Sequence, residues 1–211
     1  MRKFISLISG GLDSPLAALL MIKKGFIPIF ISFLTSDDIN HSMRLKVIKI
    51  IELLKKFTKE KIKIYLINHD PNLNLFKQKC ERKLTCILCK RLMIRIAQEI
   101  AKEEDTNIIV TGDILGEQAS QTLDNLYIYN DLLENFIVLR PLIGWNKQDV
   151  IDLNRKIGLY EISSQTSASC KYNPQYPETH AKSIEVIKSE SKVDIKLLVF
   201  QSLERAEHLI I

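Results

Sequence analysis

The chain has 211 residues, with 30 basic and 25 acidic side chains and a formal net charge of +5. Its 46% apolar and 26% charged residues exclude a disordered chain, and only 7 Gly and 6 Pro exclude a collagen-like or linker sequence. No apolar run approaches the roughly 20 residues of a membrane span, and Gly-Gly-Leu-Asp breaks the N-terminal apolar stretch too early for a secretory leader; the expectation is a cytoplasmic protein with no membrane partner.

Apolar strand-like runs alternate with amphipathic helical ones. Phe4–Ile8 is a short, nearly continuous apolar run that reads as a strand buried on both faces. Ser14–Lys24 carries Leu16, Leu19, Leu20 and Ile22 at helical spacing and stops at Gly25. Ile27–Leu34 predicts a second strand, and the stripe Met43, Val47, Ile50, Ile51, Leu54 and Phe57 a second helix. Lys61–Ile67 predicts strand three, Leu88–Lys102 a helix and Asn107–Val110 strand four. Ala119–Tyr129 reads as helical, Phe136–Leu139 as strand five, and Lys147–Ile157 as a helix ended by Gly158. Residues 161–191 look irregular, and Val193–Ile211 reads as a closing helix. This alternation predicts an α/β fold, a doubly wound five-stranded parallel sheet with right-handed crossovers. Ligands in such sheets bind outside the carboxyl ends of the strands, where strand order reverses.

The first strand end reads Ser9-Gly10-Gly11-Leu12-Asp13-Ser14. Two glycines let backbone approach a ligand, Ser14 suits a helix cap, and successive N–H groups at a helix start form an anion nest. Gly-Gly alone would also serve a tight turn. The loop lacks both the Gly-Lys-Ser/Thr of the common phosphate loop and the Gly-x-Gly-x-x-Gly of dinucleotide folds. A carboxylate at Asp13, inside such a loop, makes sense if it holds Mg²⁺ bound to a phosphate. Asp113 ends strand four in Thr111-Gly112-Asp113, where it faces a site or caps a turn. Lys147 opens a helix, where a cation opposes the dipole, which favours function over a surface role.

Ser-Gly-Gly-x-Asp-Ser at this turn resembles the PP-loop of the ATP pyrophosphatases. Cys86-Ile-Leu-Cys89-Lys-Arg, Gly116-Glu-Gln-Ala-Ser-Gln-Thr-Leu-Asp-Asn-Leu126, Arg140-Pro-Leu-Ile-Gly144 and Gly158-Leu-Tyr-Glu-Ile-Ser163 follow in order. Together these segments resemble the catalytic domain of the tRNA 4-thiouridine synthetase (ThiI) family over residues 3–180. The resemblance implies a PP-loop domain over residues 1–180, with 181–211 as a helical extension of it. It implies a stand-alone, archaeal-type form without THUMP or rhodanese domains, because Met1 lies directly on the first strand.

By that resemblance, ATP lies across the strand ends, with Leu7, Ile8, Ser9, Gly10, Gly11 and Ser14 around it and Ser32 and Phe33 beside the base. Lys90 or Arg91 would meet phosphate or ribose, Gly112 would let the backbone approach, and Gln121 would hydrogen-bond the nucleotide. Asp13 would support Mg²⁺ and Lys147 would stabilise charge; Arg140 either joins the site or pairs with a carboxylate. The implied reaction places AMP on the C4 oxygen of a tRNA uridine, and sulfur then displaces it to give 4-thiouridine. The implied partners are tRNA, held through a separate THUMP-type protein, and a sulfur donor; a homodimer is allowed. The same domain would also suit adenylation of a non-tRNA acceptor, or a non-catalytic subunit that binds ATP or a cluster. Two segments differ from the family pattern: Ser32–Asp38 after strand two, and Asn146, where the family has Asp.

Cys86-x-x-Cys89 alone reads as a redox pair, half a zinc site or part of an iron–sulfur site. Cys170 matches the family's distal cysteine, and the three together resemble the set that holds a [4Fe-4S] cluster in some archaeal members. Cys80 has no counterpart and reads as a helix-face residue, and the four His show no ligand spacing. The basic face Arg44, Lys46, Lys49, Lys55 and Lys56 reads as an RNA contact or simply as solvated surface.

Overall fold

A computed structural model describes residues 2–35, 42–165 and 170–211. Ser36–Asp38 of the segment after the second strand, His41 and residues 166–169 of the predicted irregular stretch lie outside the described residues. The elements run β1 (Lys3–Leu7), α1 (Asp13–Lys23), β2 (Ile27–Leu34), α2 (Ser42–Lys55), β3 (Lys63–Asn68), α3 (Asp70–Lys79), α4 (Thr85–Glu103), β4 (Ile108–Val110), α5 (Leu123–Tyr127), β5 (Ile137–Leu139), α6 (Lys147–Lys156), α7 (Tyr160–Ser163), α8 (Ser183–Glu190), α9 (Ile195–Glu204) and β6 (Glu207–Ile210).

The strand order is β5-β4-β1-β2-β3-β6. The five predicted strands all form and pair in parallel. Successive strand residues point to opposite faces, so Phe4, Phe30, Ile64 and Val110 pack under α1, α2 and α6, while Ile5, Ile31, Ile67 and Ile109 pack under α4. Both faces are covered, which is why the strands are apolar runs instead of alternating ones. The chain winds one way from β1 through β2 to β3 and the other way from β4 to β5. The reversal falls between β1 and β4, and their carboxyl ends open the crevice expected at such a point.

Four expectations change, the first being that residues 161–191, expected to be irregular, hold the helix α8 (Ser183–Glu190). The closing helix stops at Glu204, and Glu207–Ile210 forms a sixth strand antiparallel to β3. The apolar tail Leu209-Ile210-Ile211 looks like one helical turn in isolation, and its strand partner lies far away in sequence. A helix over Asp70–Lys79 also forms where none was predicted, because Pro71 sits at its start, where the ring is tolerated, and polar residues dilute its apolar stripe. Ala119–Tyr129 divides into a 3₁₀ turn (Ala119–Gln121) and α5, with Thr122 as the N-cap that accepts from the Asn125 N–H.

Candidate active site

The loop after β1 folds back on itself. The Ser9 N–H donates to Ser14 Oγ at 2.8 Å, the two serine hydroxyls lie 3.0 Å apart, and the Gly11 N–H donates to Ser9 Oγ at 3.3 Å. Ser14 is therefore not the predicted cap: α1 starts one residue earlier, with no side-chain cap, and the Ser14 hydroxyl pins the loop instead. A Cβ on Gly10 would lie 2.5 Å from Met43 Sδ of α2, so the glycine admits α2 over the loop. A Cβ on Gly112 would lie 2.4 Å from Ser14 N and 2.6 Å from Ser14 Cα. Gly112 thus lets backbone approach backbone, locking the end of β4 against the start of α1.

Helix α6 grips the same loop at two points. Its first residue, Lys147, donates to both oxygens of Asp13 at 2.8 and 3.0 Å and lies 3.4 Å from Glu117. Burial would lower the Lys147 pKa, but Asp13 and Glu117 outweigh it and hold it above its usual value. One face further on, Asn154 donates to the Leu12 carbonyl at 3.2 Å. Asn146 caps α6 by accepting from the Asp149 N–H at 2.9 Å, a task that Asn and Asp perform equally well.

At the end of β4, Asp113 is only 3% exposed and collects four donors. Lys90 pairs with one oxygen, joined by Gln121 Nε2 at 3.3 Å; Thr111 Oγ1 donates to the other at 2.8 Å, joined by Arg140 Nε at 3.3 Å. Burial would raise the Asp113 carboxyl, but Lys90 above all, with Thr111 and Arg140, holds it below its usual value. Arg140 thus pairs with a carboxylate, and Gln121 is a buried member of the same cluster. Lys90 also lies over the Tyr129 ring, 5.6 Å from its centre.

These groups line a cavity of about 590 Å³ at the carboxyl ends of the strands, a size suited to a small ligand. Leu7, Ile8, Ser9, Gly10, Gly11, Asp13, Ser14, Ser32, Phe33, Lys90, Gly112, Asp113 and Gln121 all face it. Lys147 and Arg140 reach it through Asp13 and Asp113. Arg91 does not: it is 2% exposed and turned away, bonded to Glu190, Asp131 and the Ile128 carbonyl.

Cys86, Cys89 and Cys170 line the same cavity, and all three are free thiols. Burial raises the Cys89 pKa, and the charges of Cys86 and Cys170 raise it further; burial and Cys170 raise that of Cys86. Among the described residues, no three His, Cys, Asp or Glu side chains are already gathered as a metal ion would require. Cys80 lies elsewhere, donating to the Ser189 carbonyl at 3.2 Å.

Sequence reading misses several residues here, Asn154 and His69 among them. Asn154 sits on α6 with nothing in its spacing to mark it. His69 follows β3, is 1% exposed and lies 3.3 Å from Cys89 Sγ through Nε2, with its ring edge-on to Phe33. Burial lowers its pKa to about 4, so the ring is neutral.

A family profile described as "Thiamine biosynthesis protein (ThiI)" matches residues 1–195. A probable tRNA sulfurtransferase of Methanosarcina mazei is 39% identical over 98% of this chain and 51% of its own length. That of Methanocaldococcus jannaschii is 39% identical over 92% of this chain and 50% of its own. The chain thus spans about half the length of these curated relatives. The crystal structure of a 4-thiouridine synthetase–RNA complex with bound ATP superposes with a TM-score of 0.91 at 28% identity, over all of this chain and 55% of that one. An NMN synthetase from Francisella tularensis shares the fold alone, at a TM-score of 0.56 and 18% identity.

Proposed function

The chain belongs to the ThiI family, and from that premise we propose that its cavity binds ATP and adenylates the C4 oxygen of a tRNA uridine, which sulfur then replaces to give 4-thiouridine. The observation that carries this reading is the joined pair of strand ends: the Ser9–Ser14 loop, with its Asp13–Lys147 pair, locked through Gly112 to the Asp113 cluster. The bound ATP of the structurally similar 4-thiouridine synthetase complex supports it.

The uridine C4 oxygen attacks the α-phosphorus and pyrophosphate leaves. A nucleophilic sulfur then attacks C4, and AMP departs with the original oxygen. Adenylation is needed because a carbonyl oxygen is otherwise a poor leaving group. In this reading the N–H groups of the loop face phosphate oxygens, and Lys147 and Lys90 stabilise negative charge as it develops on them. Asp13 suits Mg²⁺, since its oxygens border the cavity, whereas Asp113 is already occupied by four donors. Ser32 and Phe33 flank the base.

Cys86, Cys89 and Cys170 are proposed to hold a [4Fe-4S] cluster; as three free thiols on one cavity they are donors of the right kind, although not yet gathered. Such a cluster, when bound, supplies an open iron for sulfide. We assign the grip on tRNA to a THUMP-type module outside these 211 residues. A net charge of +5 supports this assignment, because it leaves no strong electrostatic footprint for RNA.

The test is pyrophosphate and AMP formation by the anaerobically purified chain with ATP, tRNA, sulfide and a THUMP-type protein. Equal amounts of both products, dependent on tRNA, are expected. No pyrophosphate release under any of these conditions overturns the reading, and adenylation of a metabolite without RNA would move the acceptor to a small molecule.

A further inference from the structure

We propose that Asn154 is a positioning residue: it fixes helix α6 against the Ser9–Ser14 loop so that Lys147 lands on Asp13. Asn154 is fully buried, and its amide nitrogen donates to the Leu12 carbonyl at 3.2 Å and to the Val150 carbonyl at 2.8 Å. Both partners are carbonyl oxygens, so the atom that faces them is the nitrogen and the oxygen points away. That oxygen, Oδ1, is buried and finds no hydrogen-bond partner among the described residues. Neither carbonyl depends on Asn154. Leu12 stands just before α1, where a carbonyl already accepts the first helical bond, and Val150 serves the N–H of Asn154 itself in the ladder of α6. Removing the amide therefore orphans no group and eliminates a buried unpaired acceptor, and a leucine of similar volume also suits a helix better. Stability does not account for an asparagine at this place.

The placement of Lys147 does account for it. Asn154 and Lys147 are seven residues apart on α6, two turns less about 20°, and so lie on one face about 10 Å apart. They meet consecutive residues of the loop: Asn154 the Leu12 carbonyl, and Lys147 both oxygens of Asp13 at 2.8 and 3.0 Å. The Lys147 side chain is 36% exposed, and an ion pair with that much water around it does not hold a helix by itself. One contact would let α6 roll about its axis; the buried amide, two turns along the same face, sets the roll. The inference rests on the reading of Lys147 as the cation that meets charge developing on phosphate. A misplacement of about 1 Å at such a group costs rate even when its cause lies away from the chemistry.

The experiment compares the full chain with Asn154→Leu by structure, stability and rate. A crystal structure of Asn154→Leu should show Lys147 Nζ more than about 4 Å from Asp13, and its urea midpoint should equal or exceed that of the parent. In pyrophosphate release, kcat should fall about tenfold with KM for ATP within about twofold. In a Lys147→Ala background the same substitution should cost less than about twofold, because the residue it acts through is gone. An intact ion pair in the Asn154→Leu crystal, an unchanged kcat, a lower midpoint that accompanies the lost rate, or an equal loss in the Lys147→Ala background overturns the proposal. If Asn154→Leu fails to fold, Asn154→Ala carries the same expectations for the ion pair and the coupling to Lys147, and their failure overturns it equally. The crystal and the urea midpoint need no ATP, tRNA or sulfur source, so failed pyrophosphate release and an unmoved Lys147 are separate outcomes.

Discussion

Lys90 and Arg91 are neighbours on α4 with the same charge, and they end in clusters of opposite character. One step along a helix turns about 100°, enough to send Lys90 into the cavity wall and Arg91 behind it. Lys90 meets Asp113, whose oxygens border a space that a ligand can enter. Arg91 meets Glu190 through two bonds of 3.1 Å, Asp131 through bonds of 2.6 and 2.7 Å, and the Ile128 carbonyl at 2.6 Å. Arg95 takes the same Glu190 oxygens at 2.6 and 2.8 Å. That second cluster lies off the cavity, with Asp131 at its solvent-exposed edge; it ties α8 and the turn at Asn130–Leu132 to α4. Burial and charge do not by themselves mark a site. An ionic cluster on a cavity wall does.

The sharpest way to separate the two is to break each. Lys147→Ala, on the cavity side, should cut pyrophosphate release about 10²- to 10³-fold in steady-state assays, with thermal melting within about 2 °C of the parent. Arg91→Ala should do the reverse. Urea unfolding should show a loss of about 3 kcal/mol, the lower end for an uncompensated buried partner because Arg95 still holds Glu190, while ATP affinity of the folded protein stays unchanged. Gly112→Ala probes the joint between the strand ends: its Cβ meets backbone that cannot swing aside. A stability loss of about 2 kcal/mol together with weaker ATP binding by calorimetry is expected.

Acid acts on both clusters. Burial raises the Glu190 carboxyl, but Arg95 and Arg91 hold it below its usual value, the same direction as Asp113. A depressed carboxyl contributes stability that is complete above the ordinary carboxylate range and is lost as pH falls through the depressed value. Urea midpoints should therefore stay flat between about pH 5 and 8 and fall below that range, and Glu190→Gln should flatten the acid fall. The smallest effect belongs to Asn146→Ala, which removes a cap for about 1 kcal/mol by urea unfolding.

The strand–helix alternation was legible because each buried strand is a short apolar run and each helix carries its own stripe. The Ser9–Ser14 loop was legible because glycines, a carboxylate and a serine are local signals. Arg91 was not: sequence gives it the same charge and helix as Lys90, and only the packing of α8, a hundred residues away, decides its direction. His69 stayed hidden for a related reason. Its sulfur partner is 20 residues distant, and its other ring nitrogen contacts Asn72, which is held from α9. β6 was missed because edge pairing is information held by the partner strand.

That last strand has a consequence for how the molecule behaves at high concentration. β6 covers the outer edge of β3, with Ile62 and Ile211 exchanging backbone bonds of 2.9 and 3.0 Å, and it ends the sheet with Glu207, in an ion pair with Arg44, and His208. The opposite edge, β5, is only three residues long. Both margins of the sheet are thus too short, and one of them too charged, to template another chain. Removing Glu207–Ile211 would bare the six-residue edge of β3, and precipitation would be its first symptom.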